Sequence, residues 1–254
     1  MKQIWIKRMF VFLAALMVTG PSKAFAQSST DNFAVIELFT SEGCSSCPPA
    51  DQLLRDLTKK ADNENINIFT MSMHVDYWNN LGWKDPYSQN QFTRRQYRYA
   101  DHFNQESVYT PQMIINGQYA FSGYRRDLAV QYIEEALSNE ASYILNVKPE
   151  HENNHMTVAY MMNPLPANAR IYLAVVERHL TQKVISGENR GIQLKHDNVV
   201  RLLESQHLKD KKGEFTIYYD PSWHKDSLSL VVFVQQLDNL NILAAKQAKI
   251  EFHL

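Results

Sequence analysis

Cysteine is nearly absent from this chain: there are two in 254 residues, Cys44 and Cys47. So few thiols exclude a disulfide scaffold, which is denser and belongs to smaller exported domains. Long apolar runs are equally scarce. The run from Met9 to Val18 falls far short of the ~20 residues a membrane-spanning helix needs. An excess of basic charge is missing too. The formal charge is −1, from 26 Lys and Arg against 27 Asp and Glu, and nothing resembles the basic face that nucleic acid binding requires. No internal repeat or low-complexity tract is present. Apolar and charged fractions of 44% and 21% belong to a folded globular chain rather than a disordered one.

What is present begins with a segmented N-terminus. Lys2, Lys7 and Arg8 precede the apolar run, a Gly20-Pro21 break follows, and Ala24-Phe25-Ala26 has the small-x-small form of a cleavage site. This order predicts a secretory signal peptide over residues 1–26, with the mature chain starting near Gln27. Cleavage removes Lys2, Lys7, Arg8 and Lys23 and moves the formal charge from −1 to −5. No cysteine lies at the cleavage point, which argues against a lipid anchor, and no membrane span is expected after signal removal.

Beyond it, Phe33–Phe39 (FAVIELF) is apolar except for Glu37 and reads as a buried strand. Thr40 to Gly43 form a turn into Cys44-Ser45-Ser46-Cys47-Pro48-Pro49, and Leu53, Leu54, Leu57 and Ala61 recur at helical spacing. A second strand is expected over Ile66–Val75, then an aromatic loop over Asp76–Pro86. A helix follows over Gln89–Phe103, with Arg94, Arg95 and Arg98 on a solvated face. Gln112–Ile115, the turn Asn116-Gly117 and Gln118–Phe121 read as a hairpin, and Leu128–Leu137 as a closing helix. Strand, helix, strand, helix, hairpin, helix is the thioredoxin arrangement with an inserted helical stretch, placed over residues 30–141. After Ser142 short alternating segments appear at Tyr143–Val147, Met156–Met161, Ile171–Val176, Phe215–Tyr219, Leu228–Val234 and Ile242–Phe252. The fold class expected is therefore an α/β thioredoxin-like domain followed by a small antiparallel β-sandwich over residues 142–254. The polar stretch Leu180–Ser205 interrupts the strands, with a short helix expected around Asn198–Leu203.

A Cys-x-x-Cys between a buried strand and a helix is a specific redox signature. Helix-terminus electrostatics favour a thiolate at the first cysteine. Cys44 is then the exposed nucleophile and Cys47 the deeper, resolving thiol. Two other readings stay open: a permanently oxidised, structural pair, and half of a metal site completed by His74 or His102. Glu37 is either a proton acceptor for Cys47, a buried acid paired with Lys or Arg, or an edge residue facing water. Thr110-Pro111, just before the hairpin, is a candidate cis bond offering strand-like pairing to a substrate. His74 and Asp76 are candidate acid–base or ligand groups, and Trp78 and Trp83 a candidate apolar platform. Capping of a core competes with each of these. Ser186–Gly191 with His196 reads as a polar loop, with metal or substrate contact as the competing reading.

Several segments resemble a secreted bacterial thioredoxin-like family known as domain of unknown function 1223. They are Glu37–Asp51 (ELFTSEGCSSCPPAD), His74–Trp78 (HVDYW), Leu81–Pro86 (LGWKDP), Tyr109–Gln112 (YTPQ), Gly187–Gly191 (GENRG) and His196–Val200 (HDNVV). The resemblance implies a thioredoxin-like fold and export to a Gram-negative periplasm or the medium, and supplies no substrate. The wider thioredoxin superfamily is similar at Cys44, Cys47 and Pro111. This chain departs from it in the Ser45-Ser46 dipeptide, in the prolines after Cys47, and in a loop before Cys44 that is one residue longer, so that matching Glu37 to the superfamily's buried acid requires an insertion.

The expected function is thiol–disulfide exchange on protein or small-molecule thiols and disulfides. Cys44 and Cys47 are the redox group, with neither a separate cofactor nor a metal. The alternative is a non-catalytic exported binding module whose disulfide is structural.

Overall fold

A computed structural model describes residues 32–152 and 155–250 of the chain. The signal peptide expected over residues 1–26, residues 153 and 154, and residues 251–254 lie outside the described residues.

Strand β1 (Ala34–Thr40) is buried along its whole length and pairs in parallel with β2 (Ile68–His74). Between them runs helix α1 (Pro48–Glu64). Its start at Pro48 follows from the ring, which presets the helical φ at the first position. It ends at Asn65, in the left-handed conformation that asparagine tolerates as a helix terminator. Helix α2 (Asn90–His102), the hairpin β3 (Gln112–Ile115) and β4 (Tyr119–Ser122), and helix α3 (Arg126–Ser138) follow. The hairpin pairs antiparallel with β1 through β3.

Side-chain parity on β1 sorts the layers. Ala34, Ile36 and Leu38 pack with Leu53, Leu54 and Leu57 of α1 and with Ala129 and Ile133 of α3. Each large apolar side chain so buried contributes ~1.5–3 kcal/mol. Val35 and Phe39 face the other way, against Phe92 and Tyr99 of α2. Helices α1 and α3 therefore cover one face and α2 the other.

The C-terminal half adds β5 (Ile144–Glu152), β6 (His155–Asn163), β7 (Ala169–Glu177), the short pair β8 (Leu180–Lys183) and β9 (Gln193–His196), β10 (Val199–His207), β11 (Lys212–Tyr218), β12 (Leu228–Gln236) and β13 (Ile242–Lys249). Strands β5, β6 and β11 form a separate three-stranded sheet. Strands β8 and β9 pair with each other in a two-stranded sheet. Strand β10 pairs with β2 at Val199 and Ser72 and carries β7, β12 and β13 with it, giving one eight-stranded sheet in the order β13-β12-β7-β10-β2-β1-β3-β4. On the α2 face a single apolar core runs from Phe39 through Tyr172 to Phe233. On the opposite face, the core under α1 and α3 is separate from the core between β7, β12 and the three-stranded sheet.

The short helix expected around Asn198–Leu203 is instead the start of β10. Its apolar residues Val199, Val200, Leu202 and Leu203 have helical spacing because the register against β7 shifts between Val200 and Leu202. A bulge of this kind breaks the period of two that identifies a strand.

Candidate active site

The site is built where β1 runs into α1, at the carboxyl ends of the parallel β1–β2 pair, a usual place for function in α/β sheets. The Cys44 amide donates to the Ser41 carbonyl and the Cys47 amide to the Cys44 carbonyl, each at 3.2 Å. These turns bring the two Cα atoms to 5.4 Å, and the cysteines are joined by a disulfide. Cys47 caps α1 and is followed by Pro48 and Pro49. A helix start normally offers four free amides to an anion; the prolines remove two of them. Part of that role falls to Ser46, whose hydroxyl lies 3.3 Å from Cys44 Sγ.

Cys44, expected to be the exposed member, is as fully buried as Cys47, both at 0% exposure, while Ser45 and Ser46 between them face solvent. Part of the cover is the loop between β8 and β9. The Glu188 carboxylate accepts from the Ser45 amide at 3.0 Å. The Asn189 side-chain amide donates to the carbonyls of Glu42 and Cys44, at 2.8 and 3.0 Å. Ser186 donates to the Gly82 carbonyl at 2.5 Å. Gly82 and Gly187 meet there at positive φ, +107° and +74°, and a Cβ on Gly82 would stand 3.2 Å from Gly187 Cα. Only glycine allows both that conformation and that approach.

Beneath the cysteine turn lies a buried acid–base cluster. Asp51, one helical turn after Cys47, shares its face of α1. His74 Nδ1 is 2.6 Å from Asp85 Oδ2, and that same carboxylate oxygen accepts from the Glu42 amide at 2.8 Å. His196 Nε2 is 3.0 Å from Glu42 Oε1, while Glu42 Oε2 accepts from the Trp83 indole at 2.8 Å. His196 Nδ1 stands 4.0 Å from Asp51 Oδ2, and the rings of His74 and His196 meet edge to face at 4.9 Å. Burial pushes the Asp51 carboxyl above its ordinary range, only partly countered by His196, His74 and Thr40. Burial pulls His74 down, but the charge and hydrogen bond of Asp85 outweigh it and leave the imidazole above its ordinary value. Burial raises Asp85, and His74 with the amides of Glu42 and Tyr87 more than reverses that. Among the described residues Asp51 Oδ1, His74 Nε2 and His196 Nδ1 have no hydrogen-bond partner. At Asp51 and His74 these are positions at which a proton can be taken up or released. Among the described residues no three His, Cys, Asp or Glu side chains are arranged to hold a metal ion.

Of the residues singled out in the sequence, Thr110, Pro111 and Trp78 meet the cysteine turn. The Thr110-Pro111 bond is cis. Pro111 Cβ and Ala50 Cβ each lie 3.2 Å from where a Cβ on Gly123 would stand, so the proline adjoins the first turn of α1. Trp78 donates from its indole to Thr110 Oγ1 at 2.8 Å, and its Cβ lies 3.2 Å from the corresponding point on Gly43. Asp76 is placed elsewhere: it accepts from Thr93 at 2.6 Å and from Asn90 at 3.1 Å, holding the first turn of α2. Glu37 also belongs elsewhere. Odd positions of β1 face α2, away from α1 and the cysteines. There its carboxylate accepts from the Arg95 guanidinium, with Nη2 at 3.0 Å, and from the Tyr99 hydroxyl at 2.6 Å. Its place is that of a buried acid with an arginine partner, on the wrong face of the sheet to receive a proton from Cys47.

Glu42, Asp51 and Asp85 escape the sequence reasoning as functional groups, and the polar-loop reading of 186–191 with His196 understates Glu188, Asn189 and His196. Asp51 carried a signal, an acid one turn after Cys47 beside the apolar stripe of α1. The others come together from positions 42, 85 and 188–196, a separation that no local pattern reveals.

The fold has a counterpart among solved structures. A crystal structure of an Agrobacterium tumefaciens protein superposes with a TM-score of 0.64 at 24% identity, covering 89% of this chain and 100% of that one. This likeness is one of fold. A domain of the outer membrane lipoprotein Omp28 from Porphyromonas gingivalis matches far less, at TM-score 0.28 and 14% identity over 43% of this chain and 88% of that one. No curated protein matches. Among the described residues no helix is long and apolar enough to cross a membrane. A family model described as a protein of unknown function matches residues 35–235, a span that takes in the cysteine turn, the covering loop and the buried cluster, and the chain belongs to that family, DUF1223.

Proposed function

We propose that this protein is an exported thiol–disulfide oxidoreductase with a thioredoxin-like core over residues 30–141. The observation that carries the reading is a Cys-x-x-Cys disulfide at the start of α1, whose first turn also carries the buried Asp51 with its amide on the Cys47 carbonyl. The β2-β1-β3-β4 order, with β1–β2 parallel and the hairpin antiparallel, supports the core assignment. Trp78, Thr110 and Pro111 beside the turn fit a substrate-contact role, and the signal-peptide pattern of residues 1–26 supports export.

In the reduced protein the Cys44 thiolate attacks one sulfur of a substrate disulfide, and the other sulfur leaves as thiolate. Cys47 gives up its proton to the buried cluster, with Asp51 as the nearest acid along the chain, and attacks Cys44 Sγ. The mixed disulfide breaks, the second substrate sulfur leaves, and both substrate thiolates are protonated. The substrate gains two electrons and the Cys44–Cys47 pair loses them; the reverse sequence oxidises a dithiol.

A second reading has its own observation. Both cysteines are fully buried under the 186–189 loop, as expected of an inert bridge in a binding module. Trapping separates the two. Cys47→Ser should accumulate mixed disulfides on Cys44 that reductant cleaves, and Cys44→Ser should trap far fewer. Equal absence of adducts from both variants would favour the binding module.

A further inference from the structure

On the opposite face of the sheet from the disulfide, α2 overhangs β7 and β10 and leaves an open groove of about 390 Å³. Four arginines line it: Arg94, Arg95 and Arg98 from α2, and Arg170 from β7, with Tyr172 and Ser205 beside them. No acidic side chain lines the groove. Glu204 lies between Leu203 and Ser205 on β10, and strand alternation turns it to the other face.

Only one of these cations is neutralised. Arg95 is buried, paired with Glu37, and stacked 4.8 Å over the Tyr172 ring, so it forms the floor. Arg98 uses one donor on the Tyr172 hydroxyl at 3.2 Å, Arg170 one on Ser205 Oγ at 2.8 Å, and Arg94 one on Asn90 Oδ1 at 2.6 Å. None of those three forms an ion pair with a carboxylate among the described residues. Each guanidinium has five N–H donors, so most of theirs remain free.

The arrangement works against the fold unless something negative occupies it. Arg94 and Arg98 are a like-charge i, i+4 pair, which weakens a helix, and Arg170 adds a third positive charge from the facing strand. The chain as a whole carries a formal charge of −1, so the cluster is not part of a general basic surface. Planar guanidinium forks match oxyanions bidentately, and the groove lies within the ~300–1,000 Å³ range of small-molecule sites. We infer that this groove binds a tetrahedral oxyanion, the phosphate or sulfate group of a small molecule or the free ion, held by Arg94, Arg98 and Arg170.

The test is calorimetric titration of the full mature protein at low ionic strength with inorganic phosphate, sulfate, a hexose phosphate and the unphosphorylated hexose. Saturable binding of the oxyanions, absent with the neutral hexose and with chloride at matched ionic strength, is expected. A hexose phosphate that binds several-fold more tightly than inorganic phosphate identifies an esterified ligand, and equal binding identifies the free ion. Arg98→Gln combined with Arg170→Gln should weaken binding at least ~tenfold, the scale for losing charged hydrogen bonds. The single variant Arg94→Gln should weaken it less, and Lys60→Gln on α1 should leave it unchanged. Binding unaffected by the double substitution, or reproduced by chloride, overturns the inference.

Discussion

Asn189 holds Cys44 by its backbone, donating from its side-chain amide to the Cys44 carbonyl at 3.0 Å across 145 residues of sequence. The same amide reaches the Glu42 carbonyl at 2.8 Å, and the neighbouring Glu188 accepts from Ser45. The loop that covers the disulfide is thereby tied to the turn that forms it.

Loosening those ties should expose the disulfide. Asn189→Ala should raise the rate of reduction by a phosphine several-fold, followed by alkylation of the released thiols; an unchanged rate would show that the loop is not the barrier. The Ser45 contact holds the Glu188 carboxyl below its ordinary value. That tie is complete above the ordinary carboxylate range and is lost as pH falls through the depressed value. Phosphine reduction, which needs no thiolate, should therefore quicken toward low pH, and Glu188→Gln should remove much of that dependence.

The His74–Asp85 pair should appear in the pH profile of stability. His74 is raised, so its contribution is complete below about 6.5 and is lost as pH rises through its folded value. Asp85 is depressed, so its contribution is complete above about 4 and is lost as pH falls through its folded value. Urea denaturation across pH should show a plateau between those limits. Asp85→Asn should flatten the acid side, and an unchanged acid limb would show that the pair contributes nothing.

Asp51 runs the other way from Asp85. Burial raises its carboxyl, so the protonated form is the one the fold favours, and its contribution is lost as pH rises through the raised value. Asp51→Asn should keep or increase stability at pH 8 while slowing disulfide exchange and shifting its pH dependence. Lower stability with unaltered exchange would make Asp51 a purely structural residue.

Arg95→Met leaves Glu37 and Tyr99 buried without their guanidinium, a change that costs ~3–5 kcal/mol in comparable pairs. Because this network lies on the α2 face, the reduction potential of Cys44–Cys47 should not move. A shifted potential would restore Glu37 as a partner of the cysteines.

How legible the molecule was depends on the range of the interactions involved. Strand β1, helix α1 and the hairpin at Asn116-Gly117 announce themselves locally, through an apolar run, a helical stripe and a turn dipeptide. The site's cover and its proton groups do not, because Glu42 meets His196 only after the chain has returned through β9. Glu37 shows the limit of reading a buried acid from a strand: the sequence marks it as buried, and only the parity of β1 against α1 and α2 tells which face receives it. Strand β10 was obscured by its bulge. Its pairing with β2, which makes one sheet of both halves, depends on a single register contact between Val199 and Ser72.

The most direct test of the central claim is the reduction potential of the Cys44–Cys47 pair, measured in the mature protein against a thiol–disulfide buffer of known poise. Structural bridges lie below about −300 mV, and exchange-active pairs lie above it. A thiol–disulfide oxidoreductase predicts a value above that boundary. A value below it, with both thiols inert toward a model disulfide, would contradict the account and leave the pair as a structural bridge.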